Sequence, residues 1–271
     1  MTMSKNIFRH EFKMHLRSVI TWSVAVMAVA LLYFSIFPSF SQNAALLNET
    51  MASFPPEFRA AFGMGDMDFS TVLGYFSFVY LFLQILLSIQ ASNYGFGLVS
   101  IEERELTADF LMVKPVTRPQ IMTSKLLAVL ASLSITQAVV WASTFGFINA
   151  FKGDKTYNAG ILVLLLLGLI VFQLFFLTVG MVISLLVKRV RSVTPYAMAL
   201  GFGMYVLSAF GAMFGESKFE KITPFKHFDP HYIIQNGHFD TPLVMVSVAV
   251  IIFSVAASYW LYVRRDIPAV T

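Results

Sequence analysis

His227, Asp229 and His231 crowd together around the run Thr223-Pro224-Phe225-Lys226-His227-Phe228-Asp229-Pro230, and imidazole and carboxylate are ligands that zinc accepts. Two histidines four residues apart can share one face of a helix. Here Pro230 stands between them, has no amide proton and interrupts that turn. No further His, Asp or Glu has an enforced position nearby, so an ordered re-entrant or surface turn is expected and no metal site is assigned. Other reactive constellations are missing from the sequence. It contains no H-E-x-x-H pair, no G-x-x-x-x-G-K-[ST] phosphate loop and no Ser or His in the setting of a nucleophile elbow. The chain is therefore expected to have no catalytic residues, to bind no cofactor and to draw no energy from ATP by itself.

The second concentration of polar chemistry is charged rather than catalytic. Between Ile101 and Ala128 fall Glu102, Glu103, Arg104, Glu105, Asp109, Lys114, Arg118 and Lys125, in a chain of which 13% is charged. Leu106, Phe110 and Val113 recur at helical spacing, which predicts a short amphipathic helix from Glu105 to Val113. Pro115 ends it, because proline lacks an amide proton and disfavours a helical conformation at Lys114. A compact helix at the mouth of a membrane bundle is shaped to receive force from a soluble partner.

The elements that must carry this segment are apolar. Of 271 residues 57% are hydrophobic, 28 are Phe and none is Cys, against about 45–50% apolar and about 25% charged in soluble domains. Without cysteine there is no disulfide framework and no thiolate metal site. A hydrocarbon core of about 30 Å takes roughly 20 apolar residues per helix, and six runs qualify: 18–37, 72–99, 126–150, 159–187, 193–214 and 242–263. The expected fold is all-α integral membrane, a single transmembrane domain over 1–271. With the N-terminus inside, thirteen of the 19 Lys and Arg fall in inner segments and six in outer ones. The positive-inside bias then puts both termini and residues 101–125 in the cytoplasm, with 39–70 and 216–241 outside. The pI of 9.2 and net charge of +4 follow from that bias rather than from a nucleic-acid partner.

Within this frame Ser4 is an expected N-cap. Phe8, Phe12 and Leu16 then run beside Arg9, Lys13 and Arg17, as in a helix over 4–17 lying in the interface with anionic headgroups. The length of the first apolar run and the lack of a cleavage site beyond it speak against a signal peptide. Phe54, Phe58 and Phe62 suggest a short surface helix that caps the bundle. Gln84, Gln90 and Asn93 in the second run, Gln137 in the third and Gln173 in the fourth are expected to bond between helices. Gly201, Gly203, Gly211 and Gly215 make the fifth run fit for close packing. No Asp, Glu, Lys or Arg lies well inside any run, which disfavours an ion- or proton-coupled pump.

The run Glu103-Arg104-Glu105-Leu106-Thr107-Ala108-Asp109-Phe110-Leu111, then Lys114-Pro115-Val116-Thr117-Arg118 and Lys125-Leu126-Leu127-Ala128, resembles the cytoplasmic loop of type-2 ATP-binding-cassette (ABC) permeases. That loop typically reads as an acidic cluster, T-x-E-F-L-L, K/R-P-V-[ST]-R and K-L-L-A. Asp109 stands where Glu is commoner and keeps the charge. The Pro224–Pro230 turn and the closing Arg264-Arg265-Asp266-Ile267 are similar to family segments too, so the likeness covers nearly the whole chain.

The resemblance implies a type-2 exporter-like permease subunit with an N-terminal elbow helix. It would pair with a second permease, identical or related, and with two cytosolic ATPase subunits that hold ATP and Mg. Glu102 to Val113 would be the coupling helix. Glu102, Glu103, Arg104, Glu105, Leu106, Asp109, Phe110, Val113, Lys114, Pro115 and Arg118 would carry the ATPase contact. Tyr75, Phe78, Gln84, Gly201 and Tyr205 are candidates for the pathway wall or dimer seam, a lining that suits an amphipathic or hydrophobic cargo (a peptide, antibiotic or lipid-like molecule). The implied location is a bacterial or archaeal cytoplasmic membrane. An ATPase-coupled sensor or scaffold would share these motifs. A passive channel would leave the charged loop unexplained.

Overall fold

The computed structural model of the chain describes residues 3–61, 68–105, 116–187, 190, 192–215, 219 and 221–264. Among these residues the structure is helical, without strands: α1 (Lys5–Gln42), α2 (Ala44–Ala52), α3 (Pro56–Ala61), α4 (Val72–Glu105), α5 (Arg118–Phe151), α6 (Ala159–Leu186), α7 (Val193–Phe214), α8 (Pro224–His227), α9 (Pro230–Asn236) and α10 (Thr241–Arg264). Six of them, α1, α4, α5, α6, α7 and α10, are long and apolar enough to cross a membrane. The chain is a multi-pass helical membrane protein.

Two element boundaries differ from expectation for identifiable reasons. From Lys5 to Phe37 there is neither Gly nor Pro, and α1 runs unbroken through the segment expected as a separate interfacial helix and on to Gln42. Its inner stripe is Ile7, Glu11, Val19, Val26, Ala30, Phe34 and Phe37. Phe8 and Phe12 are only half-buried and stack on each other at 6.0 Å, while Leu16, Arg9, Lys13 and Arg17 are exposed. The third membrane helix begins at Arg118 instead of 126. Thr117 caps it: the Gln120 amide donates to the Thr117 hydroxyl (3.4 Å), and the Thr117 amide donates to Gln120 Oε1 (3.0 Å). This reciprocal box satisfies two amides that the first turn leaves without partners, and Pro119 fits there because its missing N–H has no partner to lose.

The bundle is built around α4, which is flanked along its length by α6 and α7. Gly95 sets the α4–α6 spacing: a Cβ there would run into the Leu177 carbonyl oxygen. Gly201 does the same for α7, where a Cβ would lie 2.7 Å from Ser88 Oγ of α4. Gly203 faces open space, and Gly215 is the left-handed C-cap of α7 (φ 65°), so the glycines of this helix do not act as one packing face. α1 packs along α5, and α10 lies against α6.

Candidate functional site

The end of the bundle at which α4 leaves and α5 returns holds most of the buried charge. Lys125, expected in a loop, sits in the second turn of α5 and is 2% exposed. Its ammonium donates to the Leu98 carbonyl of α4 (2.8 Å) and stands 3.7 Å from Glu11 Oε1 of α1. Glu11 is itself 8% exposed. At the residue before Lys125, the Ser4 amide donates to Ser124 Oγ (2.9 Å). Thr123 and Tyr259 share a hydrogen bond of 2.8 Å, and Arg118 donates to the Val263 carbonyl at 3.0 Å. The first two turns of α5 therefore tie together α1, α4 and α10. Glu11 and Lys125 were missed as a site because each looks like a basic-segment or loop residue until α1 and α5 are seen to be continuous helices.

Of the residues assigned to ATPase contact, Glu102, Glu103, Arg104 and Glu105 form the last turn of α4, and Arg118 is the first residue of α5. They are helix residues rather than loop residues, and the connection between the two helices is 106–117. Leu106, Asp109, Phe110, Val113, Lys114 and Pro115 lie outside the described residues. So does the expected amphipathic helix beyond Glu105.

Midway through the bundle the amides join into a chain across three helices. Gln137 Nε2 donates to Gln173 Oε1 (2.8 Å), Gln173 Nε2 to Gln90 Oε1 (3.1 Å), and Gln90 Nε2 to Thr136 Oγ1 (2.9 Å). All four residues are buried. Gln84 donates instead to the Phe228 carbonyl at 3.2 Å. Tyr75 donates to the Tyr33 carbonyl at 2.6 Å and, like Gln84, is 1% exposed. Both side chains thus point into the core of this chain. The same is true of Gly201, closed off by α4. Phe78 and Tyr205 are half-buried: Phe78 in an aromatic group with Tyr33, Phe69 and Phe82, Tyr205 against Phe202 and Phe225.

The 224–236 segment is folded into the bundle as two short helices. Phe228 is fully buried and Phe225 nearly so, both edge-on to Phe172. His227, buried, shares a 2.6 Å hydrogen bond with Ser247 of α10. Asp229 caps α9 through the His231 amide (2.9 Å) and pairs with Lys226 (2.9 Å). His231 turns to Gln235 at 2.8 Å. The three residues that looked like ligands serve three different structural bonds, and no group of three or more His, Asp or Glu among the described residues is arranged to hold a metal. At the other mouth, Asp68 accepts from the Ser70 hydroxyl (2.7 Å), the Ser70 amide (2.9 Å) and Asn48 (3.3 Å). Lys155 donates to the Ser70 carbonyl at 2.6 Å. The bonds from Ser70, more than any other contact, hold the Asp68 carboxyl below the usual carboxylate range.

The described residues thus provide six helices long and apolar enough to cross a membrane, tied together at one end by an ion pair and a hydrogen-bonded collar. The family model for ABC-2 family transporter proteins matches residues 5–267, and the chain belongs to that family. It is thereby a transport permease subunit of the kind that associates with ABC ATPase subunits. No curated protein and no solved structure gives a significant match.

Proposed function

We propose that the chain is the permease half of an ATP-driven exporter for an amphipathic or hydrophobic cargo, driven by ATPase subunits that dock on residues 101–118. The observation that carries this reading is the collar of Ser4, Glu11, Leu98, Thr123, Ser124, Lys125, Tyr259 and Val263. It lies where the charged connection enters and leaves the bundle. A load applied to 106–117 passes into α4 on one side and the capped start of α5 on the other. Because α5 is tied there to α1 and α10, the helices move together rather than one by one, as a rigid-body switch requires. ATP and Mg are held by the partner subunits in this scheme, and closure of those subunits rocks the bundles.

A second permease completes the path. Its seam runs along the uncovered side of α7, where Tyr196, Phe202, Phe210 and Phe214 are 40–65% exposed. Gly203 leaves a gap in that face for a close-fitting neighbour. Cysteine pairs introduced at 202 and 210 cross-link two permeases if the seam is there. Absence of cross-linking in membranes with an active complex assigns the seam elsewhere.

A further inference from the structure

Along the start of α1 stand Lys5, Arg9, Lys13 and Arg17, each four residues from the next and all exposed. Among the described residues none of the four makes a side-chain hydrogen bond or an ion pair. The one acid between Lys5 and Gln42, Glu11, faces the other way and is taken by Lys125. Other cations at this end are engaged within the chain: Arg118 on the Val263 carbonyl, and Arg264 over the Trp260 ring at 4.4 Å. Beyond Arg17 the same face turns apolar without a break. Ile20, Val24, Met27 and Leu31 follow at steps of three and four, and all are exposed. The buried stripe of Ile7, Glu11, Val19 and Val26 lies on the other side of the helix.

We propose that this face is a site for an anionic diacyl phospholipid, its phosphate between Lys13 and Arg17 and an acyl chain along Ile20, Val24, Met27 and Leu31. The dimensions agree. The apolar run 18–37 is about 30 Å long at the helical rise of ~1.5 Å per residue, the thickness of a hydrocarbon core. Arg17 therefore stands at its edge and Lys13 about 6 Å beyond, within the ~5–7 Å that headgroups add on each side. Ile20 to Leu31 covers about 16 Å, one leaflet's share of the core. Arg9 and Lys5 lie about 12 and 18 Å out, past the headgroups, and add only screened attraction. The Arg17 guanidinium can take two phosphate oxygens at once, while Lys13 supplies a point charge. An acidic protein surface would match the charges and leave the apolar part of the face uncovered. A phospholipid carries both parts in the order the helix presents them. A zwitterionic lipid brings its own ammonium toward the basic residues, which cancels the attraction. Binding requires neither ATP nor cargo, so it stands apart from the transport reading.

The helix carries its own reporter. Trp22 lies five residues past Arg17, and the other two Trp are at 141 and 260. With Trp141→Phe and Trp260→Phe, the full-length chain in phospholipid vesicles reports on Trp22 alone. The probes are phosphatidylglycerol and phosphatidylcholine brominated on the same acyl carbons, each titrated into unbrominated phosphatidylcholine. Phosphatidylglycerol should quench Trp22 at roughly thirtyfold lower mole fraction, the worth of two basic side chains at an anionic headgroup. Lys13→Gln with Arg17→Gln should bring the two curves together. Lys5→Gln with Arg9→Gln should move the phosphatidylglycerol curve by less than about twofold, because those charges lie beyond the headgroups. Lys13→Arg with Arg17→Lys keeps both charges and should keep the preference. Coincident curves for the chain with all four basic residues overturn the proposal. An equal loss from the two pairs does so too, as the mark of a diffuse field rather than a seated headgroup. If added ATPase subunits displace the brominated phosphatidylglycerol, the face belongs to them and the proposal falls.

Discussion

Lys125 shows how one side chain can be misjudged by its surroundings in sequence. It stands at the polar margin of an apolar run, where basic residues ordinarily face the headgroups, yet it is 2% exposed and shared between Leu98 and Glu11. Removing one member of a buried, hydrogen-bonded charge pair typically costs about 3–5 kcal/mol. Lys125→Met keeps the stem and deletes the ammonium, so thermal unfolding in detergent should show a loss near the low end of that range. Glu11→Gln should cost less, since Lys125 keeps the Leu98 carbonyl. A Lys125→Met protein as stable as the unaltered one would mean that the ammonium is not held where the structure has it. At the opposite mouth the Asp68 carboxyl is held below its ordinary range chiefly by the Ser70 hydroxyl. The folded state thus favours the ionised form. That contribution is complete above the usual carboxylate range and is lost as pH falls through the lowered value. Hydrogen exchange in α2, joined to Asp68 through Asn48, should quicken in that acid window and respond less to acid in Asp68→Asn. An identical acid response in the two proteins would detach the effect from Asp68.

At the scale of elements, apolar run length made the six membrane helices legible, because a helix that must cross hydrocarbon has little freedom in composition. Their ends were less so. Residues 118–125 are too polar to extend an apolar run, and the start of α5 is decided by a local box between Thr117 and Gln120 that hydropathy does not register. Thr117→Ala should lower stability by about 1 kcal/mol through loss of that cap, read as earlier thermal unfolding; no change would remove the box from the account of where α5 begins. Likewise Gly95, rather than the more conspicuous glycines of α7, governs the tightest helix contact. Gly95→Ala forces α4 away from the Leu177 backbone and should cost about 1–3 kcal/mol, whereas Gly203→Ala, facing open space in the single chain, should be near neutral for its stability. Equal costs would show that backbone approach is not what Gly95 provides. The candidate site was half legible. Charge and proline placement marked 101–118 as the segment to watch, but the collar behind it depends on long-range pairing of Ser4 with Ser124 and of Arg118 with α10, which no local pattern announces. Tyr75 and Gln84 stood out by residue type, and type alone does not say which way a side chain faces inside a bundle.

For the whole molecule, the described residues offer a bundle with polar connections at both ends and along the mid-depth amide chain, the buried ion pair of Glu11 and Lys125 lying at the end where α4 leaves and α5 returns. A permease of this family works with ATPase subunits, and the proposed route for their energy is the 106–117 connection into the collar. The most direct measurement is ATP hydrolysis and ATP-dependent cargo movement by the complete complex in sealed vesicles, comparing the unaltered chain with Phe110→Asp. Coupling through this connection predicts that Phe110→Asp leaves the thermal stability of the bundle unchanged while cargo movement falls to background and no longer follows hydrolysis. Full cargo movement by the Phe110→Asp complex would contradict it.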